Sequence, residues 1–261
     1  MYNLIYADLY KMFKSSIVKV LFGITLSCAV AMAVIAYLIS QGKIDPGMSG
    51  IGFMFSDINI ISILGAVIIS ITICGDFDNK IIHDAVASGC SRISIVVSKA
   101  IAAFCAIVFI LLPYAIITFI ALNTGLKFSI GSIGLGFLNI VTQESGISFN
   151  MQEAFKLLTV MLTLFIVYIA QLSLCVPMAF LFKKSVVVVA VYYGLTIFCP
   201  QLARIEMLKI IFSCTPYLGD YTLLTTNTAT EDIIKAILVS MVFIIAMLTV
   251  TWSVFRKSEI K

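Results

Sequence analysis

The chain has 261 residues, of which 61% are apolar and only 11% charged, and a net charge of +4. Soluble domains carry about 25% charged residues, so this chain cannot surround itself with a water-facing surface and much of it must face lipid. The length leaves no room for a second large soluble domain, and no basic stripe interleaves with aromatics, so the positive balance does not mark a nucleic-acid binder.

Residues 1–16 carry Leu4, Ile5, Leu9, Met12 and Phe13 at helical spacing, opposite Asp8, Lys11 and Lys14. That pattern predicts a short helix lying in the membrane interface; a frayed terminus is the plainer alternative. Six apolar stretches then qualify against the roughly 20 residues that a spanning helix needs. They run from about Ile17 to Ile39, Ile51 to Cys74, Ile95 to Leu122, Phe155 to Phe182, Val186 to Leu202 and Ile234 to Phe255. The first is longer than a signal-peptide core and has no small-residue cleavage site behind it, so it is expected to remain as a span. Only Lys183, Lys184 and Ser185 separate the fourth and fifth, which predicts a tight helical hairpin. The whole chain, 1–261, reads as a single all-α polytopic membrane domain.

Charge sets the expected orientation. Lys11, Lys14, Lys19, Lys80, Arg92, Lys99, Lys183, Lys184, Arg256, Lys257 and Lys261 fall on one side of the six spans. Lys43, Lys127, Lys156, Arg204, Lys209 and Lys235 fall on the other, spread over longer connections. Eleven against six places both termini in the cytoplasm by the positive-inside rule, and an even number of spans agrees.

Two outer connections are long. Asn123 to Ala154 contains Gly125, Gly131, Gly134, Gly136 and Gly146 and reads as an external loop with short irregular helices. Within Ala203 to Asp232, the apolar stretch Ile205, Met207, Leu208, Ile210, Ile211 and Phe212 lies between Pro200 and Pro216 and is too short to span. It predicts an interfacial or re-entrant external segment before the sixth span. Small residues four apart, Ser62, Ala66, Ser70 and Cys74 in span two and Ser98, Ala102 and Ala106 in span three, permit close helix approach. Pro113 and Pro177 are expected to kink spans three and four.

Catalytic chemistry is hard to find. Seven cysteines (28, 74, 90, 105, 175, 199 and 214) form no CxxC pair and read as small packing residues, so neither a disulfide framework nor a metal site is expected. His83 is the sole histidine, and no HExxH, GxSxG or phosphate-binding-loop pattern occurs. Catalytic, cofactor-binding and metal-binding residues are therefore none. Asp57, near the outer boundary of span two, is the main ionisable residue within a span. A solvated helix end is the plainer account of it, and a functional intramembrane charge is the other. The scarcity of such charge argues against coupling to an ion gradient and for an energy source in a partner protein.

The connection after span two, CGDFDNKIIHDAVASGCSRISIVVSK, has a readable local logic. Asp76 can cap a helix beginning near Phe77, with Phe77, Ile81, Ala85 and Ser88 along one face. Asp78, Lys80, His83 and Asp84 supply polar contacts. Gly89 ends that helix, and Ser91 caps a second one running directly into span three. From Ser91 to Leu122 is 32 residues, about 48 Å of helix against a hydrocarbon core of about 30 Å. Span three should therefore project from the membrane, with the short helix beside its base. A rigid lever with a docking knob and a plain amphipathic connector are both consistent with that.

The same segment resembles the type-2 ATP-binding-cassette exporter permease family. The resemblance rests on Asp76, Asp78, Lys80, Gly89, Ser91, Arg92 and Lys99, and on the opening MYNLIYADLYKMFKSS. It covers the chain in architecture and about 40 residues in motif. It implies six spans per subunit, an N-terminal interfacial helix, a cytoplasmic coupling helix between spans two and three, and a pore made by two permease copies, identical or different. It implies a separate ATPase subunit carrying ATP and magnesium, docking on the coupling helix through Asp76, Phe77, Asp78, Lys80, Ile81, His83, Asp84 and Arg92. The small size is similar to bacterial cell-membrane permeases of the peptide-export and immunity branch, such as phenol-soluble-modulin and lantibiotic transporters. The expected cargo is an amphipathic or antimicrobial peptide or another amphiphile. An ion-coupled secondary transporter and a non-transport immunity or scaffold protein are the competing readings.

Overall fold

The computed structural model describes residues 2–45, 49–131, 134–146, 151–202, 212, 214–217 and 219–257. It is 82% helical, with no strand among the described residues. Helix α1 (Tyr2–Lys14) is joined to α2 (Ser16–Ser40) by Ser15 alone. A short α3 (Ser49–Met54) precedes α4 (Asp57–Asp78), α5 (Ile81–Ala87) and α6 (Arg92–Asn123). Then follow α7 (Phe137–Gln143), α8 (Met151–Ser173), α9 (Cys175–Phe182), α10 (Ser185–Leu202), a 3-10 turn at Gly219–Thr222, and α11 (Thr230–Lys257).

Among the described residues, five helices are long and apolar enough to cross a membrane: α2, α4, α6, the α8–α9 rod (Met151–Phe182) and α11. The stretch expected as a fifth span, 186–202, lies in α10, whose apolar part Ser185–Cys199 is shorter than these. Helix α6 is the hub, packing against α1, α2, α4, α7, α8 and α11. Of its most apolar window 61% is buried, against 11% in α11, so α11 turns most of its surface outward. The small residues Ala66, Ser70 and Cys74 of α4, and Ser98, Ala102 and Ala106 of α6, are all buried. They occupy the tight seams that their four-residue spacing predicts.

Helix α1 and the last turn of α11 lie at one end of the bundle, here called the near end. Lys11 of α1 pairs with Asp76 at the end of α4, and Arg92 at the start of α6 donates to the carbonyls of Phe255 and Arg256 at the end of α11.

Two sequence expectations need revision. The second apolar stretch, expected from Ile51, splits into α3 and α4. Ser56 N–H donates back to the Phe53 carbonyl, and the Asn59 amide donates to the same oxygen at 2.8 Å, which closes the turn between them. Span four departs from regular helix where Pro177 was expected to act, with Leu174 still helical at φ −61° and ψ −29°. Helix α8 gives way to α9 at Leu174, because Pro177 has no N–H for the Ser173 carbonyl four residues earlier. Pro113 is accommodated within an unbroken α6. The loop expected from Asn123 to Ala154 is in large part core: Phe128, Ile130, Phe137, Leu138, Ile140 and Val141 are buried. Ser129 N–H donates to the Ala36 carbonyl and Ser40 Oγ to the Lys127 carbonyl, stitching this segment to the end of α2. Of the expected re-entrant segment, residues 203–211 lie outside the described residues. Beyond it, the Pro216 carbonyl accepts from the Gln171 amide at 2.8 Å, and Tyr217 Oη donates to the Gln171 carbonyl.

Candidate functional site

The near-end corner between α4 and α6 is where the predicted site residues gather. Gly89 ends α5 as expected: its N–H reaches the Val86 carbonyl, and Cys90 N–H reaches the Ala85 carbonyl. Ser91 caps α6, its Oγ accepting from Ser94 N–H at 3.2 Å. Removing such a cap costs about 1 kcal/mol. Ser91→Ala should therefore lower the thermal unfolding midpoint by a few degrees, as read by circular dichroism in detergent; an unchanged midpoint would show that the cap is idle.

The start of α5 differs from expectation. Asp76 caps nothing. Helix α4 runs unbroken through it to Asp78, and α5 begins only at Ile81, after Lys80 takes a left-handed conformation with φ 59°. This break rotates the helical phase. Phe77 and Ile81, expected on one face, part company: Phe77 is buried, Ile81 is exposed, and Ile82 becomes the buried residue of α5.

Asp76 continues the helix because its charge is neutralised twice. One carboxylate oxygen accepts from Lys11 and the other from Lys99 Nζ at 2.5 Å. Lys99, itself only 5% exposed, also donates to Asp8 at 2.5 Å. Ser98 Oγ donates to the second Asp8 oxygen at 2.6 Å. Two carboxylates and two ammonium groups thus bind α1, α4 and α6 together. The polar face assigned to α1 is accordingly wrong at Asp8: α1 turns Asp8 and Met12 inward, while Tyr2, Tyr6, Tyr10 and Phe13 are exposed. A carboxylate faces the protein because two partners on α6 wait there.

A second knot sits beside the first. The rings of Phe77, Phe180 and Phe255 stack edge-on, at centroid separations of 5.5 Å between Phe77 and Phe180 and 5.1 Å between Phe180 and Phe255. They join α4, α9 and α11. Lys183 lies over the Phe77 ring at 5.2 Å and the Arg92 guanidinium over the Phe255 ring at 5.4 Å. Of the eight residues expected at a docking surface, Asp76, Phe77 and Arg92 are therefore engaged within the chain. Asp78, Lys80, Ile81 and Asp84 are exposed, and His83 is half-buried beside Phe77.

The far end holds the other charged feature. Asp57 is fully buried, not a solvated helix end. One oxygen accepts from Phe137 N–H at 3.0 Å and from the Tyr168 hydroxyl; the other has no hydrogen-bond partner among the described residues. Gly136, with φ 61°, brings its backbone against this carboxylate, where an added Cβ would overlap both Asp57 and Tyr168. Gly136 N–H donates to the Thr222 carbonyl at 2.7 Å, and buried Glu144 accepts from Thr226 N–H at 2.9 Å. Asp57, Gly136 and Glu144 thus close the far end by tying α4, α7, α8 and the 222–226 segment together. Sequence pattern offered no sign of this, because Gly136 resembled one of several loop glycines.

Among the described residues no group of three metal-ligating side chains converges. Comparison with protein-family models finds no matching family, and comparison with curated proteins finds no match.

Proposed function

We propose that this chain is the permease subunit of an ATP-driven exporter of amphipathic peptides, with α10 completing a set of six spans and the near end in the cytoplasm. The observation that carries the reading is the exposed face formed by the α4–α5 turn and α5: Asp78, Lys80, Ile81 and Asp84 point away from a corner that Phe77, Asp76 and Lys99 brace. A short mixed-charge face on a braced corner suits docking by a separate protein, because force applied there is passed to α4 and α6 instead of being lost in a soft loop. The side chains Lys183, Arg92 and Lys99 add positive charge at the same end, as a cytoplasmic face requires. Helix α6, at 32 residues and about 48 Å, exceeds a hydrocarbon core of about 30 Å and carries that corner beyond it. The partner is an ATPase subunit bearing ATP and magnesium. A second permease copy, identical or different, supplies the other half of the pore. The setting is a bacterial cell membrane.

Purification of the chain from its own cells in mild detergent tests this, and a stoichiometric ATPase should accompany it. Ile81→Asp and Asp84→Lys, both on exposed positions, should leave unfolding unchanged and lower cargo-stimulated ATP hydrolysis at least tenfold. A chain that purifies without an ATPase, or variants with full stimulation, would refute the docking role.

One observation favours a second reading, an ion-coupled carrier: the buried Asp57, one of whose oxygens has no hydrogen-bond partner among the described residues. Uptake into vesicles driven by a proton or sodium gradient without ATP, and lost in Asp57→Asn, would select it.

A further inference from the structure

A cavity of about 230 Å³ opens at the near end between α1, α2, α4 and α6. Met12, Ile17, Ile71 and Ala102 make its apolar walls, and the Asp8–Lys99–Asp76–Lys11 chain forms its polar end. It is amphipathic in the sense that an amphiphile is, with one charged end and one greasy side. Ile17 is 44% exposed at the start of α2, so a ligand longer than the cavity has an apolar exit.

The members of the ionic chain are not equivalent. Lys99 is buried and bridges both carboxylates, so it is part of the wall. Lys11 is different: its side chain is 54% exposed and it binds only one oxygen of Asp76. If Lys11 swings into solvent, two buried carboxylates are left with one ammonium, and the cavity's polar end carries a net negative charge. An incoming anion would meet Asp76 and Asp8 and be repelled. A neutral headgroup would leave Asp76 half-paired in a poorly solvated place, which is costly. A primary ammonium replaces Lys11 like for like, offering up to three donors from a compact centre. A guanidinium is less suited, since its planar fork gains most from two oxygens presented together, whereas Lys99 already holds one oxygen of Asp76.

We propose that this cavity binds the ammonium group of a primary-amine amphiphile, with Lys11 as the chain's own occupant of the site in its absence. The space equals roughly eight water volumes at about 30 Å³ each, enough for an ammonium and the first methylenes of its chain. In naming the cargo this rests on the export reading: an amphipathic peptide would enter by a lysine side chain or its amino terminus. The binding itself needs no ATPase, so it stands or falls separately from docking at α5.

The experiment uses the full chain in a maltoside detergent, titrated by calorimetry with octylammonium, octanol and octyl sulfate. Octylammonium should bind, and the neutral and anionic probes of equal length should bind at least tenfold more weakly. Lys11→Ala removes the competing ammonium from an exposed position and should tighten octylammonium binding about tenfold. Asp76→Asn should abolish it. Equal binding of all three probes, or a Lys11→Ala variant that binds octylammonium no better than the parent, would overturn the proposal whether or not Asp76→Asn folds. Loss of octylammonium binding in nanodiscs of phosphatidylethanolamine but not of phosphatidylcholine would overturn the assignment to cargo, since the occupant would then be a bilayer lipid.

Discussion

Lys99→Met should be among the most damaging single substitutions in the near half of the molecule. Methionine fits the volume of the lysine stem, but it leaves Asp8 and Asp76 facing each other in a buried place, Asp8 with Ser98 as its remaining donor and Asp76 with Lys11. Breaking a buried ion pair by removing one member costs about 3–5 kcal/mol, because the remaining charge is uncompensated. Chemical or thermal unfolding followed by circular dichroism in detergent measures the loss. The triple variant Asp8→Asn, Asp76→Asn, Lys99→Met removes the charges together and should recover much of the stability. A Lys99→Met protein as stable as the parent would mean that water reaches the network and screens it. The same substitution should loosen α1 first, because Asp8 is that helix's principal polar tie to α6. Protease sensitivity near the amino terminus should therefore rise before global unfolding.

Gly136→Ala is expected to be comparably severe at the other end, lowering stability by about 3 kcal/mol or more. Two costs add. At φ 61° and ψ −133° the backbone lies in a region that is essentially glycine's own, which costs a side chain of order 1–3 kcal/mol. The new methyl would also overlap the Asp57 carboxylate and the Tyr168 hydroxyl, and overpacking of this kind adds roughly 1–3 kcal/mol. Neither neighbour can yield easily. Asp57 is held by Phe137 N–H, and Tyr168 is buried in α8. Gly23→Ala is the matched control. Gly23 lies inside α2 with nothing near an added Cβ, so alanine there should be neutral or stabilising through helix propensity alone. Unfolding midpoints of the two variants, measured side by side, test the contrast. If Gly136→Ala and Gly23→Ala behave alike, the far-end closure is softer than its geometry implies.

These two sites also mark where the sequence was legible and where it was not. The helices α2, α6 and α11, and the Gly89–Ser91 boundary before α6, follow from local features: the length of an apolar run, a glycine that ends a helix, a serine that caps the next. Each depends on residues a few positions apart, and each is found where those residues place it. The start of α5 was misplaced by four residues, because Asp76 is a plausible cap in isolation. It stays helical only through Lys11, 65 positions away, and Lys99, 23 positions away.

Composition and the lengths of the apolar runs were sufficient for an all-helical chain with several helices long and apolar enough to cross a membrane. Hydrophobic burial is roughly proportional to apolar area and non-directional, so it can be read from composition along the chain. Which charges are buried cannot be read that way. Asp8 meets Lys99 across 91 residues, and Asp57 meets Phe137 across 80. A carboxylate enters a low-dielectric interior only when specific donors are already aimed at it, and the packing of α1 on α6, and of α7 on α6 and α2, is what aims them.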